Sequence, residues 1–170
     1  MGDDGEQQPR DGRGSGRLAV LNAAFTRNVP HNAALGLELV GAEPGTAAIR
    51  LPWTAELVGD PETGAVHGGV LTSLVDATCG AAVFLGVQPP RPIATLDLRI
   101  DHLRRSAAGR ELLCDARCER ITTHIAFVRA TVHDGDPASP VAIASATFMI
   151  FQQGQAAAGS GSGAKRGDAT

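Results

Sequence analysis

Apolar positions first fall at helical spacing at Leu18, Leu21 and Phe25, and Pro30 is expected to stop that element. Residues 36–42 and 46–53 then read as a hairpin turning through Glu43, Pro44 and Gly45. The stretch LVGDPETGA, broken by Gly59, Pro61 and Gly64, predicts a loop. An apolar run over 69–86 follows, too long for a strand and suited to a helix.

Four strand-like segments complete the pattern. In PIATLDLRIDHL, alternation puts Thr95, Asp97, Arg99 and Asp101 on one face and Ala94, Leu96, Leu98 and Ile100 on the other. RELLCDARCER groups Leu112, Cys114, Ala116 and Cys118, and THIAFVRATVHD groups Ala126, Val128, Ala130 and Val132. SPVAIASATFMIF is apolar on both faces, as a central strand would be. The late strands lack intervening helices, so a βαβ repeat does not fit. The order predicts an α+β fold, an antiparallel sheet wrapped around a long central helix. Residues 1–16 and 154–170, rich in Gly, Ser and Ala, are expected to be disordered tails around a folded domain at 17–153.

The central helix carries one carboxylate, Asp76, among apolar and small residues, and burying a lone charge is costly. At 100° per residue, Gly69, Thr72, Ser73, Cys79, Gly80 and Val83 all lie within about 60° of Asp76. Leu71, Leu74, Ala81 and Leu85 form the opposite, bulky side. The front is thus a stripe of small residues centred on an acid, open to another backbone or a ligand. At the helix start, Gly68 and Gly69 supply amides without intrahelical partners, suited to an anion or a developing oxyanion. Asp76 is roughly 10 Å further along the axis, so one carbonyl does not easily reach both from the same chain. Two helices running past each other would bring them together, which points to a site shared across a dimer. The plainer alternative for Asp76 is a carboxylate that caps or pairs inside a dimer seam.

Composition narrows the possibilities. Aromatics make up 4% of the chain and Tyr is absent, which argues against a base-stacking surface. A net charge of −3 argues against a phosphate-backbone binder, so no nucleic-acid partner is expected. No apolar stretch is read as long enough to span a membrane, and the polar N-terminus lacks the apolar core of a secretory signal. Cys114 and Cys118, if on one strand, stand about 13 Å apart at roughly 3.3 Å per residue. With Cys79 they read as reduced thiols of a cytoplasmic protein. His31, His102, His124 and His133 are scattered without metal-ligand spacing and read as surface or strand residues.

The combination of HGG opening a buried helix, an acid nine residues after the His, Gly80 four residues later and four strands resembles hotdog-fold acyl-CoA thioesterases of the phenylacetyl-CoA thioesterase type. VHGGVLTSLVD and TLDLRIDHLR carry the likeness, which covers about residues 31–151. The resemblance implies hydrolysis of an acyl-CoA to acid and CoA, with no metal or cofactor, in a dimer or dimer of dimers. It implies that the Gly68 amide polarises the thioester carbonyl and that Asp76 activates water or attacks as nucleophile. Thr95 would orient the water and His67 would flank the site. Gly69 and Ser73 would line the substrate, while Arg104, Arg105 and Arg120 would hold the CoA phosphates and nucleotide. As residues alone, the arginines read equally as a solvated loop and strand, and Asp97, Arg99 and Asp101 as a polar strand face. Many relatives carry Asn or another polar residue six positions before the His, in an N-x-x-G pattern. Here that position is Pro61, Gly64 fits the pattern, and Asp60 and Glu62 are the neighbours able to stand in. A hotdog dimer that binds acyl-CoA without turnover is the alternative. A hydratase would carry a hydration motif that is not found.

Overall fold

Pro44 and Gly45 set the first turn. Gly45 has φ +77°, the left-handed conformation that the third position of a Pro-Gly turn demands. The strands on either side, β1 (Glu38–Glu43) and β2 (Thr46–Leu51), therefore pair antiparallel, as the alternation predicts. The computed structural model describes residues 12–152. Residues 1–11 of the expected first tail, and the expected tail at 154–170, lie outside them.

The helical spacing at Leu18, Leu21 and Phe25 belongs to α1 (Gly12–Asn22) and the π-helical turn after it, Ala23–Arg27. The helix begins at Gly12, so residues 12–16, expected in the tail, are helical. Pro30 does not only end this element; it is the first residue of α2 (Pro30–Ala34), where its missing N–H costs nothing. The predicted loop after β2 also differs. It holds a short hairpin, β3 (Val58–Asp60) and β4 (Ala65–Val66), turning through Asp60 and Gly64.

The central helix α3 (Gly68–Gly86) is followed by β5 (Ile93–His102), β6 (Leu112–Ile121), β7 (Ile125–His133) and β8 (Ala142–Ile150). The large sheet runs β1-β2-β6-β7-β8-β5, antiparallel throughout, with β8 inside it as its composition predicts. It curls around α3, which packs chiefly on β6, β2 and β7. Leu71, Leu74, Ala81 and Leu85, the predicted back of the helix, are buried against Ile49, Leu51, Leu112 and Val132 of the sheet. By length and composition α3 is apolar enough to cross a membrane, contrary to the reading that no stretch reaches that length. Half of that stretch is buried, where its apolar character serves the core under the sheet.

All three cysteines are free, with Cys79 and Cys114 buried and Cys118 half-buried. Burial pushes the Cys114 thiol up to about 12 and the Cys118 thiol up to about 11, and raises Cys79 further. These thiols are inert packing groups.

Alternation fails at one place that matters. A β-bulge between Thr95 and Asp97 inserts Leu96 into the β5 ladder. Beyond the bulge Leu98 and Ile100 pack against the core, while before it Thr95, though exposed, turns towards α3 and Leu96 is 52% exposed. Thr95 is therefore separated from the polar face of Asp97 and Arg99 with which the sequence grouped it.

Candidate active site

The site is built on the first three turns of α3. His67 is the N-cap, with φ −62° and ψ 137°, and its Nδ1 accepts a hydrogen bond from the Gly69 amide at 3.0 Å. That bond puts the ring over Gly69, where a Cβ would lie 3.0 Å from Nδ1 and would push the ring aside. Gly59 makes room behind the cap: a Cβ there would sit 2.7 Å from the His67 Cα. Of the two amides singled out in the sequence, Gly69's is thus consumed by the cap. The Gly68 amide has no partner among the described residues.

Asp76 is half-buried two turns further on, and Thr95 Oγ1 donates to its Oδ1 at 2.8 Å. The bulge in β5 makes this bond possible. Thr72 and Ser73 return their hydroxyls to the carbonyls of Gly68 and Gly69, at 3.1 and 3.2 Å. The expected stripe is only partly open, because Cys79 and Val83 are fully buried by the chain's own sheet. Gly69, Thr72, Ser73, Asp76 and Gly80 remain as the accessible front. A Cβ on Gly80 would meet Phe148 at 3.7 Å, an ordinary contact, so nothing in this chain requires a glycine there.

Beside Gly68 opens a cavity of about 340 Å³ lined by Leu71, His102, Arg104, Arg105 and Ser106 among others. Arg104, expected to meet phosphates, spends its guanidinium on Asp134, at 2.9 and 2.6 Å, and on the Ser139 carbonyl at 2.6 Å. The Arg104 hydrogen bonds, assisted by the Ala107 amide, hold the Asp134 carboxyl well below the usual carboxylate range. Arg105 stays exposed, 3.9 Å from Asp60. Arg120 is not brought to this cavity. Arg104 reaches Asp134, next to the Leu113–His133 pair, and Arg120 lies seven residues further along β6, about 23 Å at 3.3 Å per residue. Among the described residues no cluster of His, Cys, Asp or Glu could hold a metal ion.

The upstream motif is explained by its turn. Gly64 has φ +68° and a Cβ there would be 2.6 Å from that of Ala108, so only glycine fits. Asp60 closes the turn by accepting from the Thr63 hydroxyl at 2.7 Å and the Glu62 amide at 3.1 Å, and the Thr63 bond chiefly lowers its pKa. Asp60 is thus occupied locally, and Pro61 and Glu62 are exposed. Two residues read as plain surface are drawn to the site. His31 reaches Ser73, with Nε2 to Oγ at 3.0 Å, and His102 stands 3.7 Å from where a Gly68 Cβ would be. Neither carries a local signal, since their partners lie 42 and 34 residues away in sequence.

Comparison with known proteins agrees with this fold. Residues 63–141, from the motif turn to the start of β8, match the thioesterase superfamily. The medium/long-chain acyl-CoA thioesterase YigI of Salmonella typhimurium is 29% identical over 147 residues, covering 78% of this chain and 93% of that protein. A solved Pseudomonas aeruginosa structure is 32% identical with a TM-score of 0.71, covering 79% of this chain and 99% of that one. The phenylacetic acid degradation protein PaaI of Thermus thermophilus, solved as a point mutant, is 26% identical with a TM-score of 0.64, covering 72% and 99%. The family match, the curated relative and the solved structures agree: the chain belongs to the thioesterase superfamily and is a thioester hydrolase.

Proposed function

We propose that the protein hydrolyses acyl-CoA thioesters in sites shared between two copies of the chain, in a dimer or dimer of dimers. One observation carries this reading: the half-buried Asp76, held by Thr95, shares α3 with the unpartnered Gly68 amide but stands eight residues away, about 12 Å along the axis. Antiparallel passage of a second α3 along the small-residue front would set the partner's Gly68 against Asp76. The acyl-CoA substrate is supported by the relatedness to YigI.

In this site the thioester oxygen points at the Gly68 amide. Asp76 takes a proton from water, whose oxygen bonds to the thioester carbon while the carbonyl electron pair moves onto oxygen against the N–H. Collapse breaks the C–S bond, and the CoA thiolate takes the proton back from Asp76. Attack by the Asp76 carboxylate itself, giving an anhydride that water then opens, uses the same groups. Thr95 orients Asp76 and the water. His67 holds the helix start, Gly69 and Ser73 line the substrate, and Arg105 is more available than Arg104 for CoA phosphate. Arg120 serves the nucleotide only where the assembly brings it to a site. The reduced thiols suit a cytoplasmic setting.

A thioester panel with a thiol reporter, run on wild type and Asp76→Asn, tests the reading. The variant should keep its fold and lose kcat by orders of magnitude; turnover like wild type would sink the assignment. The replacement of the family's polar residue by Pro61, with Asp60 spent in its own turn, favours the second reading of binding without hydrolysis. Calorimetric CoA binding with no turnover on any thioester would select it.

A further inference from the structure

We propose that His31 and Ser73 form a hydrogen-bond-accepting wall of the substrate pocket. The site then selects thioesters that carry an O–H or N–H donor a few bonds from the reacting carbon. This rests on the reading of Asp76 as the group that meets the thioester.

His31 stands on α2 and Ser73 on α3, with Nε2 and Oγ 3.0 Å apart. Ser73 Oγ also lies 3.2 Å from the Gly69 carbonyl. A hydroxyl has one hydrogen, and a carbonyl only accepts. Both contacts are hydrogen bonds when Ser73 donates to Gly69 and His31 Nε2–H donates to Ser73. A neutral imidazole in this arrangement carries its proton on Nε2 and presents Nδ1 as an acceptor. Nδ1 has no partner among the described residues, and Ser73 Oγ keeps a lone pair. The pair offers acceptors and no spare N–H or O–H.

Its position gives those acceptors a use. Ser73 precedes Asp76 by three residues, which places the two Cβ atoms about 5–6 Å apart on one face of the helix. On the same face Thr72 Oγ1 donates to the Gly68 carbonyl and Asp76 Oδ1 accepts from Thr95, so His31 Nδ1 and Ser73 Oγ extend an acceptor surface away from the reacting carboxylate. A thioester at Asp76 therefore extends one of its arms past two unspent acceptors. A saturated hydrocarbon acyl chain offers them nothing. Two parts of an acyl-CoA supply a donor at this range: a hydroxyl on the acyl chain, and the pantetheine amide nearest the sulfur. Both are the same chemistry.

Matched substrates separate the sources. One pair is 3-hydroxybutyryl-CoA against butyryl-CoA, and the other is butyryl-N-acetylcysteamine against a butyryl alkyl thioester of the same length. Wild type should favour the donor-bearing member of one pair by about tenfold in kcat/KM, the yield of one neutral hydrogen bond. His31→Phe and Ser73→Ala should bring that ratio towards one, and His31→Gln, which keeps a donor and an acceptor, should restore part of it. A ratio is indifferent to how much of a variant is folded. Equal rates in both pairs for wild type, or a preference that survives both substitutions, overturns the inference. If Asp76→Asn is inactive while these ratios do not move, only this inference fails; if Asp76→Asn is fully active, the reading beneath it fails first.

Discussion

Replacing Gly68 by proline would remove the N–H from the site and put a pyrrolidine Cδ in its place. Gly68 is the first residue of α3, the helical position that proline occupies most readily. His67 before it is extended, with ψ 137°, as a residue preceding proline must be. The Gly68 N–H has no partner in the chain to lose, and a Cβ would rest 3.7 Å from His102 Cε1, ordinary contact. The fold should therefore keep its stability or gain up to about 1 kcal/mol through the stiffer unfolded chain. Catalysis should respond differently. An oxyanion donor is worth about 100- to 1,000-fold in kcat, or about 2.7–4 kcal/mol. Gly68→Ala controls for bulk, because it adds the Cβ and keeps the N–H. Thiol release on acyl-CoA and thermal melting are measured on both variants. The reasoning is refuted if Gly68→Pro turns over within a few-fold of wild type, or if Gly68→Ala falls as far as the proline variant.

The same variant tests where the two halves of the site come from. In a two-fold symmetric dimer, a mixed pair of Gly68→Pro and Asp76→Asn chains has one site with both groups intact and one with neither. Random reassociation of equal amounts should restore about a quarter of wild-type activity, from half of the dimers each with one of two sites. If Gly68 and Asp76 served one carbonyl from the same chain, mixing would restore nothing.

Other substitutions probe single contacts. Thr95→Val removes the hydrogen bond to Asp76 and should lower kcat about tenfold, the value of a charge-assisted bond, while Thr95→Ser should retain most activity. Gly80→Ala meets only an ordinary contact within the chain and should add about 1 kcal/mol of helix stability, yet weaken self-association if a second helix lies on that face; sedimentation and melting separate the two. Gly86→Ala should destabilise by about 1–3 kcal/mol in denaturant titrations, because its Cβ would come within 2.8 Å of Ile121 Cδ1 and 3.0 Å of the Gly45 backbone. Asp134→Asn should cost about 1–2 kcal/mol, discounted for its partly exposed Arg104 partner. The folded Asp134 pKa is depressed, so its contribution is present above the unfolded value near 3.9 and is lost as pH falls through the folded value. The melting difference between wild type and this variant should hold from pH 7 to about pH 5 and shrink progressively as pH falls through and below 4.

What could be read in the sequence divides along physical lines. The relation between Gly68 and Asp76 depends only on the rise within one helix, so spacing alone yields their separation along the axis. The order of elements likewise follows from alternation and turn residues, and the Pro44-Gly45 turn appears as read. Thr95 is different. Which face a strand residue takes depends on every residue between it and the point where the alternation is counted, and one inserted residue reverses it. Leu96 is that insertion, and nothing local marks it as a bulge. Asp76 acquires its hydrogen-bond donor through an irregularity invisible to a period-two pattern. The pairing of Arg104 is illegible for a related reason: its partner Asp134 is 30 residues away, and a charge looks free until the sheet brings its counter-charge beside it. His31 is the same case in reverse, a residue with no local signal that long-range packing carries to Ser73. The groups borne by α3 are therefore fixed by local geometry. Those that adjust them, Thr95 and His31, are fixed by the sheet and by α2, where a single inserted residue or a shifted turn would change the environment of Asp76 while leaving the HGG helix as it is.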